Sequence, residues 1–317
     1  MTNRRALIIG LDNYPECPLH GCVNDAQRMK DVLSRHHDGS VNFDCQIITS
    51  PPVIVSRSLL RRKIFELLKQ PAEVAFLHFS GHGTANGFGG YLVTPDYNDY
   101  DVGIPMAEVL ALANQSPVTD VFITLDCCHS GSFGVLPAVS NERIVLSEGV
   151  SVITATRSGQ EALEEGGGGV FTSLLVEALQ GGAAALLGEV TAASVYAYID
   201  NALGAWDQRP MFKANVSRFV LLRKAPPRLD ATLVRKLVEY FPLPAEPLLL
   251  SPEYEPESKM HNIHKGEIFR ELQKFRDAGL VEPIGAEHMY YAAMNSKACG
   301  LTTLGKYYWR LVRENKI

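Results

Sequence analysis

Two stretches of the chain decide the fold: residues 74–83 read VAFLHFSGHG, and residues 120–131 read DVFITLDCCHSG. Each begins with a short run of mostly apolar residues and ends in glycine together with histidine or cysteine. Such runs are typical of strands that are buried on both faces of a parallel sheet. We therefore expect two strands, each followed directly by a loop that carries reactive side chains.

Further runs of the same character alternate with helical patterns along the first part of the chain. The candidate strands are Ala6–Leu11, Asp44–Thr49, Val74–Phe79, Asp120–Leu125, Val150–Ala155 and Phe219–Leu222. The candidate helices are Asn24–His36, Ser56–Lys69, Met106–Ala113, Val170–Gln180 and Ala192–Leu203. Alternating strands and helices predict right-handed crossovers, and hence an α/β domain over residues 1–224 with a mostly parallel six-stranded sheet flanked by helices.

The composition is that of a globular protein. The 317 residues are 46% hydrophobic and carry a net charge of −5, so the chain as a whole has no electrostatic preference for nucleic acid. No apolar run approaches the ~20 residues that a membrane-spanning helix needs. The opening residues, MTNRRALIIGLD, lack the apolar core of a secretory signal. We expect a cytoplasmic protein that does not bind membranes and whose six cysteines are mostly reduced thiols.

The two loops carry a base and a thiol. Functional residues of a doubly wound sheet lie just beyond the carboxyl ends of its strands. If the two strands are neighbours, His82 and Cys128 are expected side by side. A cysteine is mostly protonated at neutral pH, and a histidine beside it can remove the proton and create a thiolate nucleophile. The amides of Gly83 and Cys128 would then form an oxyanion hole.

The same residues resemble a known family. HFSGHG followed by LDCCHSG is similar to the caspase-type cysteine peptidases, most closely to their metacaspase and prokaryotic orthocaspase branch. The resemblance extends to ALIIGLDNYP, LHGCVNDAQRM, SVITATRSGQEALE and GGGVFTSLLVEALQG, and covers about residues 5–222. It implies a cysteine endopeptidase with His82 as general base and Cys128, which directly precedes His129-Ser130-Gly131, as nucleophile. The reaction would pass through a thioester acyl-enzyme.

The resemblance also implies a substrate class. It places the S1 pocket, which receives the side chain before the scissile bond, around Asp25 and Asp126. Two carboxylates suit a guanidinium or an ammonium group and repel an acidic side chain. We therefore expect protein or peptide substrates with Arg or Lys at P1, and self-cleavage after Arg143.

No cofactor or metal is expected. Calcium-dependent metacaspases carry acidic residues at two places where this chain has Pro105-Met106 and Gly134-Val135. Calcium needs six or more oxygen ligands, with carboxylates supplying the charge. A rearranged calcium site on Asp96, Asp99 and Asp101 is the alternative.

Simpler interpretations stay open. His82 is alternatively a buried core histidine, and Asp25 a carboxylate that stabilises a helix N-terminus. Cys127 is alternatively a small apolar residue at the strand end. A zinc site is also conceivable, formed by His78, His82, Cys127, Cys128 and His129. For the whole protein, the alternative to an active peptidase is a non-catalytic adaptor whose caspase-like domain only binds partners.

Residues 225–317 have a different pattern and are predicted to form a small α+β domain. Adjacent prolines in KAPPR, residues 224–228, indicate an extended linker. Three helical patterns follow, and Gly279 is expected to end the second. Between the last two lie strand-like runs at Leu280–Ile284 and Met289–Met294, predicted to form a hairpin. This order resembles a winged helix.

The charge of this domain decides which partner we expect. Residues 225–317 contain 13 Lys and Arg against 12 Asp and Glu. DNA-binding modules usually show a clear basic excess, so we expect a regulatory protein or ligand rather than nucleic acid. A caspase-like domain joined to such a module resembles prokaryotic stress or defence effectors.

Overall fold

The chain divides into two compact units. The computed structural model describes residues 3–52, 54–98, 101–127, 145–155, 164–165, 167–203 and 210–317. The units are Met1–Pro226 and Pro227–Ile317. The division falls between the adjacent prolines of the predicted linker.

The first unit alternates helices and strands. The helices among its described residues are α1 (Cys22–Ser34), α2 (Arg57–Lys69), α3 (Met106–Asn114), α4 (Val170–Glu177), which a π-helical turn (Ala178–Gly182) follows, and α5 (Ala192–Leu203). The strands are β1 (Arg4–Leu11), β2 (Asp44–Ser50), β3 (Val74–Ser80), β4 (Gly83–Asn86), β5 (Gly89–Asn98), β6 (Asp101–Pro105), β7 (Asp120–Asp126), β8 (Val150–Thr154), β9 (Glu164–Glu165), β10 (Gly168–Gly169), β11 (Glu189–Thr191), β12 (Met211–Asn215) and β13 (Leu221–Lys224).

Six of these strands form the central sheet, in the order β12-β8-β7-β3-β1-β2. All neighbours are parallel except β12, which pairs antiparallel with β8. The predicted mostly parallel six-stranded sheet flanked by helices is therefore confirmed. One strand assignment is wrong: β13, which overlaps the predicted Phe219–Leu222, pairs with β11 in a separate ribbon. The sixth strand is β12, whose sequence MFKAN lacks a continuous apolar run because an edge strand is only partly buried.

Each face of the central sheet supports its own hydrophobic core. Along β1, Ala6 and Ile8 pack with α1, α4 and α5, whereas Leu7 and Ile9 pack with α2 and α3. Successive side chains of a strand point to opposite faces, so strands that supply both cores read as uninterrupted apolar runs. Both faces are covered, and the carboxyl ends of β3 and β7 are held at the edge of a packed sheet.

A second sheet, which the sequence patterns do not predict, follows β3 directly. Its order is β4-β5-β6, and both pairs are antiparallel. Leu92 and Ile104 of this sheet are buried in the core that contains α2 and α3. The sheet therefore packs on the same face as those helices.

The second unit is a small α+β structure. Its described helices are α6 (Ala231–Arg235), α7 (Leu237–Tyr240), α8 (Ile263–Asp277), α9 (Met289–Met294) and α10 (Thr303–Arg313). Its strands are β14 (Leu248–Leu249), β15 (Val281–Ile284) and β16 (Ala298–Leu301), in the order β14-β16-β15. Gly279, just beyond α8, has a φ of +73°, as a residue that ends a helix in the left-handed region should.

The strand predicted at Met289–Met294 is wrong, because that segment is helix α9. The buried residues of α9 are Met289, Ala292 and Ala293, a spacing that places them on one helical face. A short apolar run fits a strand and a helix equally well. The strand that pairs with β15 is β16, so a helix connects the two strands.

The aromatic residues near the end of the chain fall into two groups. Tyr290, Tyr291 and Tyr307 are 40%, 50% and 48% exposed. Trp309 is partly buried, and its Nε1 donates to the main-chain oxygen of Phe241 at 2.6 Å.

Within the parts of the chain that the structure describes, no helix is long and apolar enough to cross a membrane.

Candidate active site

His82 follows the carboxyl end of β3, and a main-chain carbonyl holds its ring. Its Nε2 lies 2.7 Å from the carbonyl oxygen of Cys17, in the loop between β1 and α1. A carbonyl oxygen only accepts hydrogen bonds, so Nε2 carries the proton in this contact and Nδ1 holds the lone pair. His82 is half-buried, so part of the residue stays in contact with solvent.

The end of β7 lies beside the loop that carries His82. Ser80 pairs with Asp126 across the two strands, and the amide of Gly81 donates to the carbonyl oxygen of Asp126 at 3.2 Å. Cys127 follows and is 1% exposed, which fits its interpretation as a small apolar residue. The carboxyl ends of β3 and β7 therefore lie side by side.

Several predicted residues fall outside the described part of the chain. They are the nucleophile Cys128, which also supplies one oxyanion-hole amide, together with His129, Gly134-Val135 and the self-cleavage position Arg143. The other residue predicted for the oxyanion hole, Gly83, begins β4 directly after His82.

The two predicted S1 carboxylates meet at Gly169. Asp25 Oδ2 accepts from Ser80 Oγ at 3.1 Å and from the Gly169 amide at 2.9 Å. Asp126 Oδ2 accepts from Thr172 Oγ1 at 2.7 Å and from the Thr172 amide at 3.1 Å. A Cβ atom on Gly169 would lie 2.1 Å from Asp126 Oδ2 and 3.2 Å from Asp25 Oδ2. Only a residue without a side chain fits between the two carboxylates.

Both carboxylates are removed from water. Asp25 is 0% and Asp126 is 5% exposed. Asp25 forms an ion pair with Arg28, whose Nη1 lies 3.9 Å from Asp25 Oδ1 and also donates to Ser173 Oγ at 3.0 Å. Asp25 also lies in the first turn of α1, where the helix dipole favours a negative charge. The interpretation of Asp25 as a helix-stabilising carboxylate is therefore compatible with a second role towards a cation.

Sequence reasoning missed Asp12, which caps α1 from outside the helix. The N-cap residue Gly21 has no side chain, and Asp12 instead accepts from the amides of Cys22 at 2.8 Å and Val23 at 3.2 Å. It thereby satisfies two of the free amides that every helix start presents. The cap fixes the helical turn that carries Asp25. An acidic residue directly after a strand, in LDNYP, is the signal that points to it.

The zinc alternative gains no support from the geometry of His78. This residue is fully buried in β3, and its Nδ1 lies 2.9 Å from Thr124 Oγ1. Burial lowers the pKa of His78 to about 3, so the ring is neutral at ordinary pH. Over the described ranges, no three His, Cys, Asp or Glu side chains come together as metal ligands would.

Two carboxylates of the alternative calcium site contact Arg57. Arg57, the first residue of α2, forms an ion pair with Asp101. Its amide donates to both carboxylate oxygens of Asp96, at 3.0 Å each. Asp101 thus pairs with a guanidinium, and Asp96 accepts from the amide of the first residue of α2. Asp99 lies outside the described residues.

Comparison with known proteins agrees with the architecture. A family model described as the caspase domain matches residues 3–220. Metacaspase-1B of Aspergillus fumigatus is 31% identical over 164 residues, which cover 46% of this chain and 40% of that protein. Metacaspase-7 of Arabidopsis thaliana is 34% identical over 148 residues, which cover 40% of this chain and 35% of that protein.

A solved structure shows a similar fold. A protein from Geobacter sulfurreducens superposes with a TM-score of 0.52 at 17% identity, over 70% of this chain and 97% of the other. The chain spans 40% or less of these two metacaspases, whereas the family model spans well over half of the chain. The resemblance predicted from HFSGHG and LDCCHSG is confirmed, and the chain belongs to the caspase-domain family of peptidases.

Proposed function

We propose that this chain is a cysteine endopeptidase that cleaves peptide bonds after Arg or Lys. The observation that carries the proposal is the contact of His82 Nε2–H with the Cys17 carbonyl. It leaves Nδ1 as the proton acceptor at the sheet edge where β7 leads towards Cys128.

The proposed reaction uses one base and one nucleophile. His82 Nδ1 takes the proton of the Cys128 thiol, and the sulfur attacks the peptide carbonyl carbon while the amides of Gly83 and Cys128 stabilise the oxyanion. The C–N bond then breaks, the leaving amine takes the proton from His82, and a thioester remains. Water attacks the thioester with His82 as base, which releases the carboxylic acid and restores the thiol.

The proposed preference for a basic P1 residue rests on Asp25 and Asp126. Both carboxylates lie beside Gly169, and both are buried. A guanidinium that approaches these buried carboxylates gains charge-assisted hydrogen bonds, whereas an acidic side chain would add a further negative charge.

A panel of fluorogenic peptides with Arg, Lys or Asp at P1 tests the function. Cys128→Ala and His82→Ala should abolish hydrolysis, whereas the matched variant Cys127→Ala should keep at least partial activity. An inactive Cys127→Ala beside an active Cys128→Ala would reverse the assignment of the nucleophile. Faster cleavage of Asp substrates would refute the specificity. A wild-type chain that cleaves none of them would favour the non-catalytic adaptor.

We further propose that residues 225–317, a winged-helix-like domain, dock a regulator of a cytoplasmic stress or defence peptidase. The exposed Tyr290, Tyr291 and Tyr307 support a protein or ligand partner, because aromatic residues are enriched at interfaces. The test compares the full chain with its Tyr290→Ala, Tyr291→Ala double variant on protein substrates and on a short peptide. Altered use of protein substrates with unchanged peptide hydrolysis is expected. Identical behaviour of both chains would refute the docking role.

A further inference from the structure

Tyr14 contacts both the main chain and the ring of the proposed base. We propose that Tyr14 is a positioning residue for His82: its buried hydroxyl fixes the His82 main chain and thereby directs the imidazole. The inference rests on the proposed function only in taking His82 as the base.

The hydroxyl of Tyr14 joins His82, which lies between β3 and β4, to strand β5. It accepts from the His82 amide at 3.0 Å and donates to the carbonyl oxygen of Val93, on β5, at 3.2 Å. The amide of Val93 in turn donates to the carbonyl oxygen of His82 at 3.0 Å. The main chain of His82 is therefore held on both sides of its Cα atom.

The ring of Tyr14 restrains the imidazole itself. The two ring centroids lie 4.5 Å apart with the planes at 60°. Tyr14 also belongs to the loop that presents the Cys17 carbonyl to His82 Nε2. One loop therefore provides the contacts to the amide, the ring face and the protonated ring nitrogen of His82.

Gly81 makes room for this hydroxyl. A Cβ atom on Gly81 would lie 2.6 Å from Tyr14 Oη, well inside van der Waals contact. A glycine beside a reactive residue can also let the backbone approach a substrate closely. In the structure the close neighbour of Gly81 is Tyr14, together with the ring of Phe79.

The hydroxyl stays protonated at the pH where a peptidase works. Tyr14 is 2% exposed, and burial raises the pKa of its phenol well above the ordinary value. A protonated hydroxyl donates to Val93 and accepts from His82 at the same time, which a phenolate cannot do.

The first test is the variant Tyr14→Phe in the full chain, which keeps the ring and removes the hydroxyl. We expect kcat on an Arg-P1 peptide to fall about tenfold, because a misaligned base slows proton transfer, while KM changes less than about twofold. Tyr198→Phe is the matched control. It removes a hydroxyl on α5 that donates to Glu177 Oε2 at 3.3 Å. Equal kcat values for wild type and Tyr14→Phe would refute the proposal.

The second measurement does not depend on catalysis. ¹⁵N NMR of histidine-labelled protein, with the His82 signal assigned from a His82→Gln variant, reports which ring nitrogen carries the proton. We expect the Nε2–H form in the wild type and a mixture of the two forms in Tyr14→Phe. An unchanged pure Nε2–H form in Tyr14→Phe would refute positioning even if no peptide were cleaved. A wild-type chain without peptidase activity, in contrast, refutes the proposed function alone.

A third variant covers the case in which Tyr14→Phe does not fold. Gly81→Ala keeps the hydroxyl but displaces it, so kcat should again fall with little change in KM. Where both variants fold, the Gly81→Ala substitution should cost less in the Tyr14→Phe chain than in the wild type, because neighbouring residues that act through one contact are not additive. Full additivity, or a Gly81→Ala chain with wild-type kcat, would refute the proposal.

Discussion

Replacing His78 with Gln should make the fold less sensitive to acid. Burial holds the pKa of His78 at about 3 in the folded chain, whereas an unfolded histidine has a pKa of about 6.5. Between these two values the unfolded chain binds a proton that the folded chain excludes. The fold therefore keeps its full stability above pH 6.5, where His78 is neutral in both states. It loses stability progressively as the pH falls towards 3, because only the unfolded chain binds the proton.

The magnitude follows from the size of the shift. One pKa unit corresponds to about 1.4 kcal/mol, so the free energy of unfolding should be about 2 kcal/mol lower at pH 5 than at pH 8 through His78 alone. This is a large part of the 5–15 kcal/mol that is typical of a folded domain. Because β3 leads directly to His82, acid unfolding of this strand would also remove the proposed base from the site.

Urea denaturation followed by circular dichroism measures the effect. Wild type and His78→Gln are compared at pH 8 and pH 5, since Gln keeps a polar group that can bond Thr124 but has no proton to bind. The variant should lose about 2 kcal/mol less than wild type between the two pH values. His20→Gln, at an exposed histidine, should behave as wild type. Equal losses for wild type and His78→Gln would refute the reasoning.

Three further predictions concern the site and its support. Gly169→Ala should lower kcat/KM for Arg-P1 peptides by at least about tenfold, because its Cβ would lie 2.1 Å from Asp126 Oδ2. The control Gly87→Ala, which has no atom within 4 Å of the new Cβ, should keep the wild-type kcat/KM. Equal kcat/KM values for wild type and Gly169→Ala would contradict the S1 assignment. Asp12→Ala should reduce the free energy of unfolding by about 1 kcal/mol, as loss of a helix cap does, and an unchanged urea midpoint would contradict the capping role. Millimolar calcium or EDTA should leave peptide hydrolysis unchanged, since Arg57 already engages Asp96 and Asp101; strong activation by calcium would show otherwise.

The central strands are the parts of the fold that the sequence indicates most directly. β3 and β7 are recognisable because every residue of each is buried, which leaves an uninterrupted apolar run. The edge strand β12 carries Lys213 and Asn215 and gives no such run. Helix α9 is too short for its apolar spacing to be separated from that of a strand.

The candidate site divides in the same way. His82, Asp25 and Asp126 can be predicted because they belong to motifs that resemble a family. Tyr14 and Asp12 act through contacts between segments far apart in sequence, such as Tyr14 with Val93. No local sequence pattern indicates those contacts, and the three-dimensional structure is needed to find them.

The hydrogen bond from Trp309 to the Phe241 carbonyl oxygen gives the second unit its own fluorescence signal. The chain contains two tryptophans, Trp206 in the range of the first unit and Trp309 in that of the second. In a Trp206→Phe chain all indole emission comes from Trp309, and unfolding would transfer this ring to water and shift its emission to longer wavelength. Hydrolysis of a fluorogenic peptide reports on the first unit in the same cuvette. A compound that acts on residues 227–317 can then be distinguished from one that acts on the first unit.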